Sequence, residues 1–175
     1  TGGCELGISM GGYDKNRKPW RPWLHVEFHP EQSVGGFPFK DGQDAQNIGL
    51  ANVANIPSEL IEAEWPIKVT SYGFIPDSGG AGKHRGGLGL VREWELLMEE
   101  TQVQVRSDRR HFPPYGLHGG LSGKASNVTR NPGSDSQSQL PSKFVLNFYR
   151  GESLRVEWAG AGGWGNPLDR APELV

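Results

Sequence analysis

The chain reads as a mainly β fold with one short helix, a β-rich α+β class, and three observations predict it. Glycine supplies 26 of 175 residues and proline 13, a usage that disfavours long helices and demands many turns. Apolar residues alternate over short segments instead of recurring at helical spacing. One segment alone carries helix start and stop signals. The length suffices for a sizeable core and no linker divides it, so residues 1–175 are expected to form a single domain or lobe.

The elements follow in order. Residues 23–28 alternate in a short apolar pattern that predicts a strand, and Gly35-Gly36 and Asp41-Gly42 then mark a loop. Residues 57–65 predict the helix: Pro57 stands near its first turn, Glu59 and Glu62 supply early acids, and Pro66 stops it. Residues 67–75 form a strand with Ile67, Val69 and Ser71 on one side. Residues 90–98 place Leu90, Trp94, Leu96 and Met98 on one face, and a short acidic turn leads to a strand over 102–106, so the two are expected to pair as a hairpin. A second hairpin is expected from 143–149 and 154–158 across Arg150-Gly151-Glu152-Ser153. Residues 131–139 are polar and turn-rich, which predicts an exposed, mobile loop.

Eighteen basic against twenty acidic residues give a net charge of −2, which argues against a nucleic-acid-binding surface. Cys4 is the only cysteine, so an internal disulfide and a thiol-rich metal site are excluded and a reducing compartment fits best. No apolar run reaches the ~20 residues that span a bilayer. The expectation is a soluble, cytoplasmic protein.

Three glycine-dense stretches beside charge carry the functional signal, because glycine is selected where a backbone needs positive φ or close approach and such loops often bear function. Residues 76–87 contain Gly82-Lys83, but His84 follows where a phosphate-binding loop needs Ser or Thr. Gly160, Gly162 and Gly165 match a dinucleotide spacing, yet Asn166-Pro167 stops the helix that fingerprint requires. Ser107-Asp108-Arg109-Arg110 follows a strand, where Arg109 and Arg110 could clamp a carboxylate or phosphate with Asp108 steadying one guanidinium; an internal ion pair is the equal alternative. His84 is a candidate acid/base group, and Arg85 and Lys143 are candidate anion contacts. Of six tryptophans, Trp94 and Trp158 sit in apolar alternation and read as core, while Trp164 among glycines is the candidate binding aromatic. His25, Glu27 and His29 share one strand face and are weak metal candidates; the ordinary alternative is a solvated polar face with the apolar residues turned inward.

The order of these motifs carries further information. Gly35-Gly36, Asp41-Gly42, Glu62-Ala63-Glu64-Trp65-Pro66, the stretch from Pro76 to Gly87, Ser107-Asp108-Arg109-Arg110, Leu140-Pro141-Ser142-Lys143 and Gly162-Gly163-Trp164-Gly165-Asn166-Pro167 together resemble the C-terminal part of the hydantoinase B/oxoprolinase family. The resemblance implies a lobe of a larger enzyme, working with a hydantoinase A-like subunit and the N-terminal part of a hydantoinase B-like subunit on a small-molecule substrate. It implies ATP-dependent opening of cyclic amides such as hydantoins or 5-oxoproline, or the ATP-dependent ketone carboxylation of the related acetone and acetophenone carboxylases. ATP and a divalent metal are then held mainly by other chains or the N-terminal part, and this chain alone is inactive. In that setting Arg109, Arg110, His84, Arg85 and Lys143 stabilise an anionic intermediate; a docking lobe without catalytic residues is the alternative of another class.

Overall fold

The computed structural model describes residues 1–3, 6–15, 19, 21–28, 33–46 and 54–174; Cys4 and His29 lie outside the described residues. Strand alternation builds the core. Ile8 and Met10 of β1 (Leu6–Asp14), Val103 and Val105 of β5 (Glu100–Ser107) and Phe148 of β8 (Lys143–Tyr149) are buried on one side of a four-stranded sheet ordered β2-β1-β5-β8, with β2 at Arg21–Phe28. Leu90, Trp94 and Leu96 of β4 (Leu90–Leu96), Val128 of β6 (Asn127–Arg130), and Leu154 and Val156 of β9 (Ser153–Glu157) are buried on a five-stranded sheet ordered β3-β4-β9-β6-β7. There β3 is Ile67–Phe74 and β7 is Ser138–Gln139. All these side chains belong to one cluster, so the two antiparallel sheets face each other across a shared core. Trp94 and Trp158 are fully buried in it, as their alternation predicts.

The single α-helix, α1 (Ser58–Glu64), buries Ile61 and packs on β3. Pro57 precedes it, Trp65 N donates to the Ile61 carbonyl at its end, and Glu62 reaches forward to accept from Val69 N at 2.8 Å.

Both predicted hairpins are corrected. β4 and β5 lie in different sheets, as do β8 and β9. In each case the chain crosses the core, and the two strands meet through their buried faces while each forms its ladder with a distant segment: β4 with β3 and β9, β5 with β1 and β8. The short turns are real, with Glu152 N donating to Tyr149 O at 3.0 Å, but burial of apolar faces on both strands favours an arch over a ladder. Residues 131–137 form an exposed turn braced by Ser134 N to Asn131 O and Gln137 N to Ser134 O, and Ser138–Gln139 continue it as β7 against β6.

The glycine-dense stretches are neither strands nor helices. Along residues 160–165 the backbone N–H groups donate in turn to the carbonyls of Lys124, Gly87, Thr1, Leu121, His84 and Leu117, at 2.8–3.0 Å. Gly160 and Gly163 thus bond one neighbour, residues 121–124, and Ala161 and Trp164 another, residues 84–87. A strand would alternate between two directions; three is the repeat of a polyproline-II-type extended chain. Neighbours on every side leave no room for a β-carbon: one built on Gly160 would lie 1.8 Å from Ser78 O, and one on Gly86 2.0 Å from Ala161 O. Close approach accounts for Gly160 and Gly86, whereas Gly165, with φ +76°, and Gly119, with φ +91°, answer to a left-handed backbone.

Candidate functional site

Residue type and backbone geometry divide the candidates among separate places. β2 turns His25 and Glu27 inward, where both are buried, while Leu24, just before them on the opposite face, is 61% exposed. This reverses the expected solvated face. Opposite them, β4 contributes Arg92, also fully buried, whose Nη1 donates to Glu27 Oε1 at 2.7 Å; the same oxygen shares a hydrogen bond of 2.9 Å with His25 Nε2. Arg92 Nη2 donates to Asn55 Oδ1 at 2.6 Å and its guanidinium lies 4.3 Å from the Tyr72 ring centre. A charge taken out of water needs such partners. Among the described residues no three His, Cys, Asp or Glu side chains converge as metal ligands.

Arg85 is held within the protein. Its two terminal nitrogens donate to Asp44 at 2.8 and 3.0 Å, in the forked geometry that suits guanidinium and carboxylate. Asp41 accepts from Arg85 N at 2.9 Å and from both terminal nitrogens of Arg170 at 2.8 Å. Those hydrogen bonds, the Arg170 pair foremost, outweigh burial and hold the Asp41 carboxyl below its ordinary range; Arg85 does the same for Asp44. Both arginines are correspondingly held above their ordinary value, chiefly by these hydrogen bonds.

His84 and Trp164 meet through the backbone, each N–H donating to the other's carbonyl at 3.0 and 2.8 Å, with ring centres 6.1 Å apart. His118, like His84 a histidine beside glycines, brings its ring within 5.2 Å of Trp164. His84 Nδ1 is 3.8 Å from Asp41 Oδ1. This aromatic and imidazole group stands at one end of the glycine bundle.

Arg109 and Arg110 stand at the other. Ser126 ties the loop after β5 to β6: its Oγ donates to Asp108 O at 2.5 Å and its N to Arg109 O at 3.3 Å. Arg109 takes a left-handed conformation, φ 57°. Arg110 turns into a pocket of about 390 Å³ lined also by His111, Lys124, Ser126 and Glu157. Its Nη2 makes a 3.5 Å contact with Gln139 Oε1, and its buried Nη1 has no acceptor. Lys143 opens β8 opposite Arg106 and is exposed. The two ends are set apart by the bundle's length, because residues 160–165 run from Lys124 and Ser78 to Leu117 and His84. The structure therefore brings His84 to Trp164, and Arg110 to Lys124 and His111, but not the two groups to one another. The second grouping was hidden because Lys124 is brought to Arg110 by three-direction backbone pairing, which leaves no side-chain periodicity.

The glycine stretch over 79–89 leaves few free backbone donors. The N–H groups of Gly80, Lys83, His84, Gly86 and Gly87 meet backbone carbonyls, and those of Arg85, Leu88 and Gly89 meet Asp41, Asp44 and Ser78 side chains. A cradle for phosphate requires such groups to converge on empty space.

Comparison with known proteins agrees with this architecture. A 5-oxoprolinase, PfmaA, of Pestalotiopsis fici is 31% identical over 172 residues, which is 94% of this chain and 13% of that one. The caprolactamase of Pseudomonas jessenii matches twice: its subunit beta is 30% identical over 64% of this chain and 20% of its own length. The crystal structure of that ATP-dependent caprolactamase shares the fold, with TM-score 0.73 and 21% identity over 98% of this chain and 31% of the other. A nucleotide-free acetone carboxylase structure also shares the fold, at TM-score 0.67 and 15% identity over 97% and 26% of the two chains. The chain thus spans a fifth or less of the two curated relatives. A family model described as Hydantoinase B/oxoprolinase matches residues 1–167, and the chain belongs to that family.

Proposed function

We propose that this chain is the C-terminal lobe of a hydantoinase B-type component in an ATP-dependent complex that opens cyclic amides. The single observation that carries the reading is sequence identity of 30% or more with proteins named for cyclic-amide substrates, 5-oxoproline and caprolactam. The likeness to acetone carboxylase, at 15% identity, is one of fold alone. The described residues offer no evident site for ATP or a divalent metal, since most donors of the glycine stretch are engaged internally and, among these residues, no ligand triad converges. Those groups belong on a hydantoinase A-like subunit and the N-terminal part of the B-like chain.

This chain's contribution is positive charge placed in advance. Opening an amide develops negative charge on oxygen and ends in a carboxylate, and fixed donors stabilise such charge best when they need not reorganise. Arg109 and Arg110 have that role, with Lys143 at the neighbouring strand edge; His84 and Trp164 form a second contact surface. Asp108 positions the arginine loop. Arg85 steadies the loop around Asp44. A second reading, a docking lobe without catalytic groups, is supported by this internal engagement of Arg85.

Reconstitution with the A-like subunit and the N-terminal part of the B-like chain separates the two. Arg109→Ala or Arg110→Gln is expected to lower ATP-dependent 5-oxoproline or lactam hydrolysis at least a hundredfold in a complex of normal size. Loss of assembly instead would establish docking, and unchanged turnover in a normal complex removes the electrostatic role. The isolated chain is expected to show no hydrolysis.

A further inference from the structure

We propose that the pocket between Arg110, His111 and Lys124 is a binding site for a small oxyanion, carboxylate or phosphoryl, that carries a short apolar portion. Its three basic side chains come from two segments, the loop after β5 and the end of residues 114–124. The Lys124 backbone is fixed on both sides, its N donating to Ser78 O at 2.8 Å and its carbonyl accepting from Gly160 N at 3.0 Å. The cation is therefore delivered by the rigid part of the fold, while its side chain is exposed.

Charge in the pocket is not balanced from within. Glu157 is the acidic residue of the lining, and its carboxylate is already engaged by Asn127 at 3.1 Å and Arg155 at 3.3 Å. Arg110 Nη1 is buried with no acceptor, and the Nη2 contact to Gln139 is long at 3.5 Å. Arg85 shows what a satisfied guanidinium looks like in this protein, with two donors on one carboxylate at 2.8 and 3.0 Å. The guanidinium thus lacks a charged acceptor, and an incoming ionised oxygen that displaces the long Gln139 contact at the exposed Nη2 side supplies one through a charge-assisted hydrogen bond. Lys124 adds a point charge from the opposite wall. The volume of about 390 Å³ exceeds a bare phosphate, and Ile75 lines one side, which leaves room for a few carbons.

The inference rests on the functional reading only in the choice of one probe, L-glutamate, the acid released when 5-oxoproline opens. The 15N-labelled chain is titrated at constant ionic strength with inorganic phosphate, with L-glutamate and with chloride. Saturable shifts at the amides of Arg110, His111 and residues 124–127 are expected with phosphate or glutamate and not with chloride. Phosphate alone assigns a phosphoryl site, glutamate alone a carboxylate site, and both support the shared chemistry. Arg110→Gln and Lys124→Ala, the latter an exposed position that keeps the fold, are each expected to raise the midpoint at least tenfold. Absence of saturation with both oxyanions, or equal titration of wild type and both variants, overturns the proposal. Because no partner subunit is present, a failed hydrolysis assay leaves this result untouched, and failed binding leaves the assignment to the amide-opening complex standing.

Discussion

Replacing one hydrogen atom by a methyl group at Gly160 should remove a large share of the stability of this fold. The new carbon would stand 1.8 Å from Ser78 O and 2.3 Å from Ser78 C, both backbone atoms, whereas ordinary contact begins near 3.4 Å. Relief therefore requires about 1.6 Å of main-chain movement, well beyond the few tenths of an ångström that packed interiors yield. Movement on that scale breaks Lys124 N to Ser78 O, Gly160 N to Lys124 O and Gly80 N to Ala161 O, now 2.8, 3.0 and 2.7 Å. At about 1 kcal/mol for each bond and 1–3 kcal/mol for overpacking, the loss is about 4–6 kcal/mol, against roughly 5–15 kcal/mol for a whole domain. Two other glycines serve as controls. Gly73 in β3 has no atom within 4 Å of a built β-carbon and no positive φ, so Gly73→Ala should stabilise by about 0.5 kcal/mol through the unfolded chain. Gly133 is equally open but has φ +76°, so Gly133→Ala should cost about 1–2 kcal/mol from backbone strain alone. Urea unfolding followed by circular dichroism ranks all three. A Gly160→Ala protein within 1 kcal/mol of Gly73→Ala would refute the packed-bundle argument.

Two further predictions concern charge. Glu27→Ala takes a carboxylate partner from the buried Arg92 guanidinium and should destabilise by about 3–5 kcal/mol, while Glu27→Ala combined with Arg92→Leu should recover more than half of that; a double variant as unstable as the sum of the two single ones counts against a coupled pair. The Asp41 carboxyl is held below its unfolded value, so its ion pair with Arg170 contributes fully above pH ~4 and is lost as pH falls through the lower folded value. Asp41→Asn should accordingly be less stable than wild type at pH 7, with the gap closing below pH ~4; a gap that persists at pH 2 means the carboxylate charge is not its source.

Side-chain alternation made much of the sandwich legible. The strands carrying Trp94, Val103 and Leu154, and the helix framed by Pro57 and Pro66, follow from period and punctuation. β1 escaped because Gly7, Gly11 and Gly12 dilute a strand whose inward side chains, Ile8 and Met10, pair it with both β2 and β5. The hairpins were misread because a short connection carries no mark of whether the next strand joins the same sheet or crosses the core, and the inward side chains look alike in both cases. At the candidate site, Arg110 and the adjoining His111 were recognisable as charge at a strand end, whereas Lys124 was not. Lys124 and His118 reach their places through backbone pairing among residues 76–87, 114–124 and 160–165, and backbone amides are the same in every residue.

The three-direction pairing also sets a timetable for folding. The segments it joins begin at Thr1 and extend to Gly165, so the last participant leaves the ribosome only after all the segments it must bond. Until then residues 33–43, 76–87 and 114–124 have no central chain to organise around, and their amides face water. Assembly of this region thereby waits for residues 160–165, and a nascent chain halted before Gly160 is expected to be open and protease-sensitive, its sheets lacking the element that locks them together.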